Sequence, residues 1–476
     1  MKMKTILKNH LLSGLTLSSV LLATALPGWA QAATGKPAYL QGMQTVAAGG
    51  TTSESVTPAK IDGLKQLGNR RLRIINVDRG TLQAIGADGK ATVNWPVQLT
   101  YPLKVCKQNG FVPHIVIGHY LPPQLAAGGR KGGPPTSWAQ YDRFIDAYLN
   151  YVVVEQGFKE TEWEVGNEMN IVTENWMATQ TPAASTDEAG FNAYAILYSH
   201  VARDIDNFRR QHPGTIMRVG GPAEAEDVHL PPPQDWTTRL IRYTAANHLP
   251  IDYVSFHAYG NAATGAKYGE LINEIRKEIN ENHSSATIFV TEWGPSYDNK
   301  PGLNYDPIAG AFALDFAAKM ALFAVHDTMF LSLSQLPNND WPAYYKLDGS
   351  PSHPMLALLA IAGLKGDPIP CVGTAGGSCV AVKDSTGDVD VVFWNYDWTN
   401  EKFPSRMPNK GPQKQTFTLT GSGLSDSYDL ASGKMNSAAW QGGGSTSNFA
   451  RGNGSNLSLS VVMPYGNYGE VQLKPH

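Results

Sequence analysis

The chain has 476 residues, 42% hydrophobic, 10% aromatic and 17% charged, with a formal charge of −3 at pH 7. That length exceeds one ordinary domain, and the composition excludes a disordered or coiled-coil chain. The acidic balance argues against a nucleic-acid partner.

Lys2, Lys4 and Lys8 precede an apolar run at 11–26, and Ala30-Gln-Ala32 follows. This is the pattern of a secretory signal peptide, residues 1–32. The run is short for a membrane anchor and is broken by Ser and Gly. Its loss removes three lysines and no acid, so the exported chain is more acidic still. Periplasm or external medium is the expected destination. No stable membrane span is expected after signal removal, because the next apolar run, 309–325, is interrupted by Asp315 and Lys319.

A polar segment follows, within which 39–46 offers a first strand. From Pro58 a repeating alternation begins. Residues 58–67 have helical spacing and stop at Gly68; 72–77 read as a strand. A helix at 102–109 ends at Gly110, and a strand at 112–118 contains Ile115, Val116 and Ile117. A long helix is expected over 137–156, with Trp138, Tyr141, Phe144, Tyr148 and Tyr151, ending at Gly157. Next comes Thr161-Glu-Trp-Glu-Val-Gly-Asn-Glu-Met-Asn170, a strand that stops at Gly166 and presents Asn167 and Glu168. The second half keeps the rhythm. Helices are expected at 187–211, 235–247, 268–282, 308–325 and 354–364, and strands at 215–220, 252–257, 288–291 and 328–333. Thr291-Glu-Trp-Gly294 repeats the design of the first strand end, with Glu292 as its acid.

About eight strand–helix units in succession predict parallel strands joined by helical crossovers, closing as a (β/α)8 TIM barrel over residues 33–365. An open doubly wound sheet would want a glycine-rich phosphate turn after its first strand, and none is present. Beyond Gly366 helical periodicity stops. Short alternating runs at 379–382, 389–394, 415–420, 457–462 and 468–473 predict an antiparallel β-sandwich domain over 366–476. Cys371 and Cys379 are close in an exported chain and are expected to form a disulfide. Cys106 is expected to be a small buried residue.

Two glutamates at strand ends of one barrel meet at its mouth, where a close pair supports glycosidic bond cleavage with retention. One carboxylate attacks the anomeric carbon; the other protonates the leaving oxygen and then activates water. Asn167 is placed to bond a sugar hydroxyl. His257 and Tyr259, at the end of a strand, are placed to hold the nucleophile's ionisation and position. Trp293 and Trp341 are candidates to stack on sugar faces, and His119 and Asp78 follow strands on the same rim. Glu160, Glu162 and Glu164 read as structural or solvated. No Cys/His cluster has zinc-ligand spacing, and no cofactor is expected.

At these residues the sequence resembles glycoside hydrolase family 39, within the clan A retaining glycosidases that carry glutamates on strands four and seven. The resemblance rests on Gly166-Asn-Glu168, Val219-Gly-Gly-Pro-Ala223, Ser255-Phe-His-Ala-Tyr259, Thr291-Glu-Trp-Gly294 and Met463-Pro-Tyr-Gly466. It implies that Glu168 is the acid/base, that Glu292 is the nucleophile, and that Arg73 matches a strand-two arginine. The family's β-xylosidases resemble Val-Arg-Phe-His-Gly on that strand, whereas this chain has Leu72-Arg-Ile-Ile-Asn76. Leu333-Ser-Gln-Leu336 stands where the family has a tryptophan. Both departures touch the pocket that reads a terminal sugar. The expected function is secreted retaining hydrolysis of β-glycosidic bonds in an oligo- or polysaccharide substrate. The alternatives are an exo-acting β-xylosidase-like glycosidase and, from another class, a non-catalytic carbohydrate-binding barrel.

Overall fold

The computed structural model describes residues 57–476 except 69, 76–81, 86–90, 123, 127–133, 172–186, 226–234, 299–302, 336–340, 375–376, 409, 437 and 440–448. The expected signal segment, the candidate strand at 39–46 and Asp78 lie outside the described residues.

Among the described residues, seven parallel strands form one sheet in chain order. They are β1 (Arg71–Ile74), β2 (Val112–Ile117), β3 (Glu160–Val165), β4 (Ile216–Glu224), β5 (Tyr253–Tyr259), β6 (Thr287–Gly294) and β7 (Asp327–Phe330). The helices are α1 (Pro58–Leu67), α2 (Val97–Asn109), α3 (Trp138–Leu149), α4 (Asp187–Gln211), α5 (Trp236–Ala246), α6 (Gly265–Glu281), α7 (Pro307–Leu322) and α8 (His353–Gly363). A hairpin of Leu82–Ile85 with Ala91–Val93 is inserted after β1. The sheet curls until its edge strands meet through side chains, since Arg71 on β1 pairs with Asp327 on β7. This is the parallel barrel that the sequence predicts.

Two helices depart from expectation. α2 begins at Val97, ahead of Pro102, which lies inside the helix. Pro102 is the sixth helical residue, past the amides that have no partner anyway, so it forfeits one intrahelical bond. α3 ends at Leu149 and runs on as a π-turn, Asn150–Glu155, which carries Tyr151, Val152 and Val153 into the core.

The barrel interior is charged. Period-two alternation turns Arg71 and Arg73 of β1, and Glu162 and Glu164 of β3, to the inside. Arg71 Nε lies 2.8 Å from Glu162 and Arg73 Nε lies 2.6 Å from Glu164. His114 stands between, 3.1 Å from Glu162 and 3.4 Å from Glu164. Burial alone would raise the Glu162 carboxyl; the His114 hydrogen bond and Arg71 outweigh it and hold it at about 2. Asp327 goes the other way. Burial pushes it up to about 7 despite Arg71, because Glu162 shares that cation.

The carboxyl-terminal strands are β8 (Asp367–Ile369), β9 (Cys371–Gly373), β10 (Gly377–Lys383), β11 (Val389–Asn395), β12 (Gln413–Thr420), β13 (Ser427–Met435), β14 (Ala450–Gly452), β15 (Asn456–Met463) and β16 (Tyr468–Pro475). They pair antiparallel in the order β8-β10-β11-β16-β13-β14-β15-β12-β9. Strict alternation on β15 puts Leu457, Leu459, Val461 and Met463 inside with Phe393 and Phe417. A disulfide joins Cys371 of β9 to Cys379 of β10. Cys106 is buried in α2.

The sandwich packs on α7. Asp315 of α7 is buried, and there it binds Lys319 Nζ (2.7 Å), accepts from Trp394 Nε1 (3.1 Å) and accepts from Trp398 N (2.9 Å). Phe312, Phe316, Trp398 and Phe403 close the seam. Strands are not involved at its upper edge. There Trp398 Nε1 donates to Ala263 O (2.9 Å) and Phe403 N donates to Gly260 O (2.7 Å). Those acceptors lie in the loop that follows β5.

Candidate active site

Glu168 arrives at the mouth through a turn that only its sequence allows. Gly166 has φ 78°, and a Cβ there would come within 2.6 Å of Met169 Cγ. Glu168 itself adopts φ 48°, a left-handed conformation costly for a residue with a side chain. Its amide donates to Ala223 O (2.9 Å), and its carbonyl accepts from Ile171 N (2.8 Å). Ala223 N in turn donates to Ser255 Oγ of β5 (3.0 Å), so three strand ends fix this turn.

Glu292 projects from β6. The β5–β6 register shifts between Phe256 and His257, and this sets His257 opposite Glu292. Arg73 is fully buried and acts as a fork. Its Nε binds Glu164, Nη1 binds Glu292 Oε1 at 2.5 Å, and Nη2 donates to Asn167 Oδ1 at 2.5 Å. Tyr259 donates its hydroxyl to Glu292 Oε2 at 2.9 Å. His257 Nδ1 lies 2.7 Å from Glu168 Oε1 and 3.6 Å from Glu292 Oε2. Burial alone would lower the His257 pKa; the facing Glu292 and Glu168 carboxylates reverse this and raise it. Arg73 is likewise held charged by Glu164 and Glu292 against the cost of burial.

Glu168, His257 and Glu292 each bring one side-chain atom within 4.8 Å of the other two. Such a triad has the donors for a cation. Here, however, Arg73 and Tyr259 already occupy the two Glu292 oxygens, and the guanidinium charge opposes a second cation.

The structure thus brings together Glu168, Glu292, Asn167, His257, Tyr259 and Arg73. His119 follows β2 by two residues and is buried, with its ring edge-on to Tyr120 at 4.1 Å. Trp341 is 42% exposed. Trp293 requires a correction. It is 1% exposed, stacked on Phe316 at 4.1 Å and edge-on to Phe330, so its face is not available to a sugar. Alternation is the reason: with Glu292 inside the barrel, its neighbour must face the helix layer. Glu164, read only as structural or solvated, proves to anchor Arg73. The signal was present, because Glu164 shares the inward face with Glu162.

With the strand expected at 39–46 counted first, β3 and β6 take the fourth and seventh places. A barrel with close glutamates at those two strand ends has the architecture of the clan A retaining glycosidases. No family model matches the chain. A β-xylosidase of Caldicellulosiruptor saccharolyticus is 28% identical over 225 residues, 43% of this chain and 41% of that protein. A β-xylosidase of Geobacillus stearothermophilus is 27% identical over 195 residues, 38% of this chain and 34% of that protein. The chain therefore matches well under half the length of these curated relatives. A family 39 enzyme from Xanthomonas axonopodis pv. citri has a TM-score of 0.66 at 18% identity, over 93% of this chain and 96% of that one. A monomeric β-xylosidase from Caulobacter crescentus has a TM-score of 0.64 at 16% identity, over 93% and 97%. The chain thus resembles glycoside hydrolase family 39 in sequence and shares its two-part fold. No helix among the described residues is long and apolar enough to cross a membrane.

Proposed function

We propose that this chain is an exported retaining β-glycosidase that cleaves an oligo- or polysaccharide by double displacement. The observation that carries this reading is the pair of strand-end carboxylates, Glu168 and Glu292, with oxygens within 4.8 Å. Retention works across a gap of about 5 Å, whereas inversion needs room for a water between the carboxylates. Glu292 is the nucleophile, because a guanidinium and a phenol hydroxyl bind its two oxygens and fix their position. The same contacts aim it at the anomeric carbon. Glu168 is the acid/base: its side chain is more exposed than that of Glu292, and it has His257 as partner. It gives its proton to the leaving oxygen, then takes one from the water that releases the sugar. Asn167, fixed by Arg73, is placed for a sugar hydroxyl.

Two relatives are named β-xylosidases, which favours an exo-acting xylosidase as the second reading. Against it stand the missing histidine in Leu72–Asn76 and the missing tryptophan at 333–336, both of which favour a more open cleft. A purely sugar-binding barrel would have no use for the close carboxylate pair.

The test is turnover on aryl β-glycosides and polysaccharides, with and without chelator. Glu292→Gln is expected to abolish turnover with an unchanged circular dichroism spectrum, and a 2-fluoro-glycoside is expected to label Glu292. Unchanged activity, or a label on another residue, rejects the assignment. Export is checked by amino-terminal sequencing of protein from the periplasm and medium, which should begin at residue 33.

A further inference from the structure

We propose that Tyr297 and Trp341 form a stacking platform for the sugar unit next to the one that is cleaved. The site then reads a chain rather than a terminal residue. The inference rests on Glu292 as the attacking carboxylate.

Tyr297 is 39% exposed and Trp341 is 42% exposed. Both rings stand on a scaffold built at the end of β6. The Tyr297 amide donates to Asn261 Oδ1 (3.2 Å). Asn304 Nδ2 donates to Ser296 O (3.2 Å), tying the short turn Leu303–Tyr305 to the residue before Tyr297. Tyr305 OH then donates to Trp341 O (2.5 Å). Pro342 packs so closely on Gly294 that a Cβ there would meet its Cγ at 2.7 Å. The backbone of both residues is therefore braced in one patch of the rim.

That patch is continuous with the catalytic centre. Tyr297 lies edge-on to Tyr259, at 5.8 Å and 88°, and Tyr259 is the residue that binds Glu292. The Tyr297 ring is thus one ring removed from the residue that binds the nucleophile. It lies one step outward, where the next unit of a chain would run. A pyranose has an apolar face of C–H bonds. Covering an exposed aromatic ring with it removes apolar surface from water, and a braced ring loses little freedom on binding. With Trp293 withdrawn into the core, Tyr297 and Trp341 are the exposed aromatics on the β6 side among the described residues.

The test uses Glu292→Gln protein, which binds without turnover. Calorimetry would compare xylose with xylobiose through xylohexaose, and with cello- and manno-oligosaccharides. Affinity is expected to rise with chain length in one series. Adding Tyr297→Ala or Trp341→Ala is expected to lower the affinity for the longest member about tenfold, while Tyr297→Phe keeps it. Unfolding temperatures verify that each variant is folded. Equal affinities across the variants, or affinities independent of length in every series, overturn the proposal. So does a concentration-dependent dimer that either substitution dissolves. Aryl-glycoside turnover and labelling at Glu292 by the wild type are read separately, so the glycosidase reading can stand while the platform falls.

Discussion

Glu164 and Arg73 meet beneath the site, and both side chains are fully buried. Burial alone would raise the Glu164 carboxyl, but Arg73 and His114 keep it well below the usual carboxylate range. It therefore stays ionised at any working pH and pins the fork that aims Glu292. Glu164→Gln is expected to lower kcat about 10- to 100-fold with a much smaller change in KM, since the nucleophile is misaligned rather than removed. It should also move the pH–rate profile, which a merely structural residue would not. Steady-state kinetics from pH 4 to 9 would check both. Much of this centre is legible residue by residue. A strand that breaks at glycine and then shows an acid is a local signal, as at Gly166–Glu168 and Glu292–Gly294. Trp293 and Tyr297 were not legible in the same way. Which of them faces sugar depends on which side of the barrel wall each leaves, and that is fixed only when Glu292 is known to point inward.

The loop after β5 is the element on which nucleophile geometry depends. Tyr259 ends the strand, and its neighbours are held from the other domain through Gly260 and Ala263. Phe403→Ala removes a buried ring packed on Phe312 and is expected to cost about 3–5 kcal/mol. The expected signature is a lower unfolding temperature and faster hydrogen exchange in 259–266, read by mass spectrometry. The β9–β10 staple is a smaller matter: reducing Cys371–Cys379, separated by eight residues, should cost about 2–3 kcal/mol, seen as a fall in Tm with a thiol. Helix periodicity located the carboxyl end of α4 to the residue, because His212-Pro-Gly214 stops it. The π-turn after α3 and the early start of α2 escaped because tertiary burial, not local preference, decides them.

For the whole molecule, the charged barrel interior sets the acid limit. The Glu162 pKa is depressed in the fold, so its stabilisation is complete above its unfolded value of 4.5 and is lost as pH falls from there towards about 2. Asp327 has the opposite sign. Its raised pKa makes the fold gradually less stable between 3.8 and about 7. Stability is therefore expected to peak in the mildly acidic range, as measured by Tm against pH, and Glu162→Gln should flatten the acid limb. The barrel as a class was legible from the strand–helix rhythm. Its ionic filling was not, because pairings such as Arg71 with Asp327 join residues that are 256 positions apart.

The seam at Asp315 bears on how such a protein could be rebuilt. Its ligands come from both parts of the chain: a lysine one turn along α7, an indole from β11, and a backbone amide just beyond. Exchanging the tail for that of another protein would strand a buried carboxylate and unprop the turn behind the nucleophile in the same stroke. A graft is therefore expected to succeed only if residues 394–403 travel with the barrel.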